Sequence, residues 1–187
     1  MGRPSSFRDE TVFAAVARSL VVQGEVRIQT VTQLAGVSTG SIYHRFGSRE
    51  GLMAASWLDA IEGFQACFLA ALDRRDAVAG LPAALATPRF CRSDRERALI
   101  LTCGRTAEMM PDKAPPELHA RLASAQELGR DAIAGFATRQ ALPLERVRLA
   151  LIGIPLGAVR LYLPEQLVPD SVDADIARAS GALLQSI

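Results

Sequence analysis

Thr39, Gly40, Ser41, Tyr43 and His44 crowd two hydroxyls, a phenol, an imidazole and one bare backbone position into a single short stretch. No acid interrupts it. Groups of this kind suit base edges, which mix donors and acceptors, and phosphate oxygens, which accept. Ser38 precedes them as a helix-capping hydroxyl. Arg49 follows in the first turn of the next helix, where the macrodipole disfavours a cation by about 0.3–1 kcal/mol. An anion outside the protein would account for it there, so Arg49 is read as a phosphate contact. Gln29 opens a preceding helix and is read as a second contact, with Arg27 and Thr30 beside it. Gly40 costs a helix about 1 kcal/mol relative to Ala, and close approach of backbone to DNA would offset that cost. Plainer readings exist: a loose first turn for Gly40, half-buried packing for Tyr43, and simple solvation for His44.

The elements that must hold these residues are short helices. A first helix is expected over Asp9–Gln23, with Phe13, Val16, Ala17 and Leu20 at helical spacing and Gly24 as its stop. A second covers about Ile28–Ala35 and a third about Thr39–Phe46. Two short helices joined through Gly36, Val37 and Ser38 form a helix-turn-helix, whose second helix enters a DNA major groove. With Ile42 and Phe46 turned inward, and about 100° per residue, the outward direction falls on Gly40 and His44. Ser41 and Tyr43 flank it. Arg45 lies toward the core side and reads as a structural ion-pair residue.

The rest of the chain also reads as helix, about nine in all, because alternating apolar and polar runs are absent. A long fourth helix opens at Ser48 and runs to Asp73 or beyond. A weaker one covers Ala77–Ala86, and Thr87–Arg92 reads as a loop. Ser93–Glu96 has the form of a capping box for a helix to about Thr106, and Met109–Ala114 reads as another loop. Pro115 and Pro116 open a helix to about Thr138. Pro143 opens one that ends before Pro164, and Asp170 or Ser171 caps the last. Met1–Phe7 reads as a mobile tail. The fold class is all-α. A helix-turn-helix domain is placed at 1–48 and a second helical domain at 49–187, meeting within helix four.

Composition narrows the functional classes. Residues 1–50 carry six Arg against four acids, while the remainder carries fifteen basic and sixteen acidic residues, so DNA contact belongs at the N-terminal end. Cys67, Cys91 and Cys103 are odd in number and lack CxxC spacing, which indicates neither a disulfide framework nor a metal site. No long charge-free apolar run or leader-like start occurs, so a cytoplasmic protein without a membrane partner is expected. With two His and no HExxH, GxSxG, P-loop or GxGxxG, an enzyme is not expected, and neither is a cofactor.

Ala35-Gly36-Val37-Ser38-Thr39-Gly40-Ser41-Ile42-Tyr43-His44-Arg45-Phe46, followed by Ser48-Arg49-Glu50 and Leu52, resembles the helix-turn-helix of the tetracycline-repressor (TetR) family of transcriptional regulators. That pattern is roughly A-G-V-S-x-G-[ST]-[LI]-Y-x-[HY]-F-x-[SN]-K-x-x-L. Arg49 replaces the usual Lys and keeps its charge, while Arg45 stands where Tyr or His is usual. The turn after Gly24 is about two residues short. The resemblance implies a regulator of transcription, with a repressor released from a near-palindromic operator by a small-molecule effector as the leading form. It implies a homodimer through the last two helices, about Leu144–Leu163 and Ser171–Ser186, with Ala150, Gly153, Gly157 and Leu161 at the interface. The small residues among these independently suit close helix packing.

It further implies an effector pocket among the middle helices. Candidate lining residues are Trp57, Phe64, Phe68, Phe90, Cys103, Met109, Met110, His119 and Phe136, with Arg105 and Glu108 as a polar anchor. Plain core packing is the competing reading for each. Two alternatives to a regulator stand beside it: a helical interaction module, or an enzyme that retains the helix-turn-helix as scaffold.

Overall fold

The computed structural model describes residues 7–74 and 76–185. The tail expectation for residues 1–6, and Ser186 at the end of the last helix, lie outside the described residues. Their regular structure is all helical, with no strand among them. Counting the continuous run 144–159 once, eleven helices form, nine of them at least seven residues long. In chain order they are α1 (Asp9–Gln23), α2 (Ile28–Ala35), α3 (Thr39–Phe46), α4 (Arg49–Leu72), α5 (Leu81–Ala84), α6 (Ala86–Ser93), α7 (Arg95–Cys103), α8 (Thr106–Met109) and α9 (Pro116–Arg139). Then come α10 (Leu144–Arg148), a π-helical turn (Leu149–Gly153), α11 (Ile154–Val159) and α12 (Val172–Leu184).

The chain divides into two compact units. The first comprises residues 1–61 and 96–122, the second 62–95 and 123–187, so α4 and α9 each contribute to both. In the first unit, α1 to α3 fold as the spacing of their apolar residues requires. Val12, Val16, Val26, Val31, Ile42 and Leu52 are all essentially inaccessible, and each such burial stabilises by about 1.5–3 kcal/mol. The bounds of α1, α2 and α3 fall where the sequence places them. Gly24 and Gly36 end α1 and α2 in the left-handed region, at φ 70° and 67°, which costs a residue without Cβ nothing. Phe7, read as part of a mobile tail, stacks on Phe46 with ring centroids 6.5 Å apart. Later in the same unit, Arg97 grips Asp59 with Nε 2.7 Å and Nη2 3.0 Å from its two oxygens, fastening α7 to α4.

The second unit is built around α12, which packs on α5, α10, the π turn and α11. Arg92 on α6 reaches both Asp170 and Asp173, each at 2.9 Å, and Arg95 donates to the carbonyls of Gln166 at 2.8 Å and Pro164 at 2.7 Å. Thr87–Arg92 is therefore not the loop its composition suggests. It lies within α6, which buries Ala86, Thr87, Pro88, Phe90 and Cys91. Pro88 sits in the first turn, where its missing N–H has no helical acceptor to lose. The weak helix expected over Ala77–Ala86 contracts to the single turn of α5, with Pro82 in its first turn. The helix opened by Pro143 is one run, 144–159, with a π turn inside it.

Candidate nucleic-acid interface

Ser38 caps α3: its Oγ accepts from the Ser41 N–H at 3.1 Å and lies 2.9 Å from the Ser41 hydroxyl. This satisfies one of the donors that a helix start leaves unpaired. Ile42 is buried and Phe46 half-buried, with Phe46 packed on Phe13 at 5.8 Å. The opposite side of α3 is open. Thr39, Gly40, Tyr43 and His44 are exposed and Ser41 half-exposed, while Gln29 on α2 is exposed as well. The structure therefore brings six of the eight sequence-selected contact residues together along α3 and its cap.

Gly40 has no internal reason to be glycine. A Cβ there would meet only Ser38 Oγ, at an ordinary 3.8 Å. Gly51, which sequence reading passed over, is the opposite case, because a Cβ on it would run into the Phe46 backbone carbonyl. That contact sets how closely α4 starts against the end of α3. Ser48 completes the joint by accepting from the Gly51 N–H at 2.9 Å. The sequence signal for it is a Gly in the first turn of a helix immediately after a Gly-Ser turn.

Arg45 is ion-paired, as its inward placement suggested, although it remains exposed. Its Nη2 and Nε lie 2.8 and 3.2 Å from the two oxygens of Asp9, bracing α3 against α1. The hydrogen bond and charge of Asp9 raise the Arg45 pKa further above its ordinary range. Arg49 donates from Nε to the Val26 carbonyl at 2.9 Å, so part of its guanidinium holds the α1–α2 turn. Its two terminal nitrogens make no hydrogen bond to the described residues. The short turn after Gly24 is closed by buried Ser19, whose Oγ lies 2.8 Å from the Glu25 carbonyl and 3.0 Å from the Arg27 N–H. Gln23 and Thr30 bond at 2.9 Å across the same turn.

The candidate effector residues separate between the two units. Trp57, Cys103, Arg105, Met109 and His119 belong to the first, and Phe64, Phe68 and Phe136 to the second. Trp57 and Met109 are buried, and the Trp57 indole N–H has no partner among the described residues. Arg105 is exposed and pairs with Glu108 at 3.5 Å. His119 Nε2 lies 3.2 Å from the Pro111 carbonyl. In the second unit Phe64 stacks on Phe68 at 5.9 Å and edge-on to Phe90 at 5.5 Å, while Phe136 fills the space over Gly80. Of the interface residues, Gly153, Gly157 and Leu161 are exposed on one stripe with Leu149 and Ile152, whereas Ala150 is fully buried in its own unit. Among the described residues no three of His, Cys, Asp and Glu gather as a metal site, and no helix is long and apolar enough to cross a membrane.

A capped helix with an open polar face, set on two supporting helices, has the form of a helix-turn-helix. The family model for bacterial regulatory proteins of the tetR family matches residues 24–56, the segment that contains α2, α3 and the start of α4. Over nearly the whole chain the fold is similar to solved structures. The TetR-family transcriptional regulator PfmR from Thermus thermophilus matches at a TM-score of 0.71 and 17% identity, covering 97% of this chain and 98% of that one. A TetR-family regulator from Rhodococcus sp. gives 0.69 and 17%, covering 95% and 98%. The fatty acid degradation regulator FadR from Bacillus halodurans gives 0.65 and 12%, covering 95% and 100%. No curated protein matches. Residues 24–56 thus match the tetR-family model, and the fold of the whole chain is similar to that of solved TetR-family regulators.

Proposed function

We propose that the chain is a DNA-binding transcriptional regulator that works in the cytoplasm as a homodimer and not as an enzyme, a repressor that a small-molecule effector releases. The observation that carries this is the open face of α3, whose Gly40 is required by nothing inside the protein. In this reading Thr39, Gly40 and Ser41 approach the duplex backbone and base edges, Tyr43 and His44 donate to phosphate or base, and Gln29 touches the adjacent strand. Ser38 fixes the helix start that presents them. Arg49, already seated on Val26, offers its terminal nitrogens to a phosphate.

The dimer forms through the stripe of Leu149, Ile152, Gly153, Gly157 and Leu161, of which Leu161 is 80% exposed. A twofold pair sets two recognition helices about 34–36 Å apart on one face of DNA, which calls for a near-palindromic operator. An effector that favours one position of α4 by ~1–3 kcal/mol changes operator affinity roughly 5–150-fold.

The test is binding to a duplex selected from random sequence, followed by fluorescence anisotropy over a range of salt concentrations. Wild type is expected to bind with a steep salt dependence and Tyr43→Ala to bind weakly at every salt concentration. Equal binding by the two removes α3 from the interface.

A further inference from the structure

A cleft of about 360 Å³ opens within the first unit, walled by the α1–α2 turn, the start of α4 and the segment around α8. Its floor is apolar: Leu20, Val26, Met53 and Met109 line it and are all nearly inaccessible. Its rim is charged, with Glu25, Arg49, Glu50, Glu108 and Lys113. Two of these charges are already paired, since Glu25 meets Arg27 at 2.7 Å and Glu108 meets Arg105 at 3.5 Å. Glu50 and Lys113 make no ion pair with the described residues, and the terminal nitrogens of Arg49 make no hydrogen bond to them. The cleft thus offers one uncommitted carboxylate, one uncommitted ammonium and a half-used guanidinium above an apolar base.

We propose that this cleft binds a small zwitterion with an apolar side chain, of the class of the apolar α-amino acids. A purely anionic ligand would face Glu50, and a purely cationic one would face Lys113 and Arg49. Only a molecule carrying both charges satisfies both sides while its hydrocarbon rests on the apolar floor beside Met53. The volume lies at the small end of ligand pockets, which run about 300–1,000 Å³, and excludes bulky drugs.

The site also has a consequence for the reading head, which rests on the DNA-binding reading given above. A ligand carboxylate on Arg49 takes the nitrogens that phosphate would use. Ligand and operator therefore compete for one guanidinium, and each weakens the other by the same factor.

The test is calorimetric titration of L-leucine and L-phenylalanine into the full chain, without DNA. Saturable binding of at least one is expected. For leucine, 4-methylpentanoate, which lacks the ammonium, and 3-methylbutylamine, which lacks the carboxylate, each bind at least about ten-fold more weakly. Lys113 is exposed, so Lys113→Ala keeps the fold by circular dichroism and loses at least about ten-fold in amino-acid affinity. No saturable heat from either amino acid, equal binding of the one-charge analogues, or unchanged affinity in Lys113→Ala overturns the site. Because the titration contains no DNA, its failure is separate from failure of DNA binding. Amino-acid binding that leaves operator affinity unchanged overturns the competition through Arg49.

Discussion

The Ser180 hydroxyl donates to the Ala150 carbonyl across 2.8 Å in the buried interior of the second unit. The reason lies five residues downstream of Ala150. In the π turn the N–H of Ile154 bonds to the Leu149 carbonyl, so the next donor in register would come from residue 155. That residue is Pro155, which has no N–H. The Ala150 carbonyl is orphaned by Pro155 and rescued by Ser180 on α12. Ser180→Ala should therefore cost about 1–3 kcal/mol, the penalty for a buried group left unpaired. Pro155→Ala restores the donor, so the double variant should lose less than the sum of the single losses. Urea denaturation of the three variants checks this, and strict additivity would separate the two residues.

Gly40 and Gly51 stand in the same reading head but should respond oppositely. Gly40→Ala places its Cβ in ordinary contact with Ser38 Oγ, at 3.8 Å, and gains up to about 1 kcal/mol of helix propensity, so the fold should hold or tighten while operator affinity falls at least about ten-fold. Gly51→Ala drives a Cβ into the Phe46 carbonyl and should lower stability by about 1–3 kcal/mol, the usual range for overpacking. Thermal melts and anisotropy on both variants separate a DNA-facing glycine from a packing glycine.

Charge at Arg49 can be weighed by salt. Arg49→Ala should weaken operator binding and reduce the slope of log affinity against log salt by about one, the loss of a single phosphate contact. It should also loosen the α1–α2 turn, since the Val26 carbonyl loses its donor. A weaker complex with an unchanged slope would assign Arg49 to that turn alone.

Burial pushes the Cys91 thiol from 9.0 up to about 11, against a smaller opposing pull from Arg92 and Arg95. Below pH 9 the thiol is neutral in folded and unfolded chains alike, and its contribution to stability is fully present. As pH rises from 9 toward 11 the unfolded chain gives up this proton first, so that contribution is lost. The melting temperature of wild type should fall more steeply across that window than that of Cys91→Ala. Parallel curves would show that the Cys91 site titrates normally.

Leu161 is 80% exposed, and Gly157 has nothing within contact distance of a Cβ. Leu161→Glu should leave the monomer folded, because the side chain is largely exposed, and should shift the proposed dimer toward monomer in sedimentation equilibrium. Dissociation by Gly157→Leu, with Gly157→Ala dimeric, would mark the same stripe from its centre.

Much of the reading head was legible because each of its boundaries is local chemistry. Gly24 and Gly36 stop their helices by adopting positive φ, Ser38 caps the next, and the polar face follows from helical spacing alone. What escaped depends on residues far apart in the chain. Asp9, the partner of Arg45, lies 36 positions away, and the Val26 acceptor of Arg49 lies 23 away. No periodicity encodes either. The helix α6 was hidden by Pro88 and its polar neighbours, and it forms because Phe90 and Cys91 are buried and Arg92 finds Asp173. The effector candidates separate because two helices, α4 and α9, each serve both units, and nothing in their sequences marks where one unit gives way to the other.

A hydroxyl-radical footprint of wild-type protein on a duplex selected from random sequence tests the regulatory reading most directly. Expected are two protected half-sites of near-twofold sequence, centred about 10–10.5 base pairs apart or a multiple of that, and lost together in Tyr43→Ala. A single unsymmetrical footprint, or a symmetrical one that survives Tyr43→Ala unchanged, would contradict it.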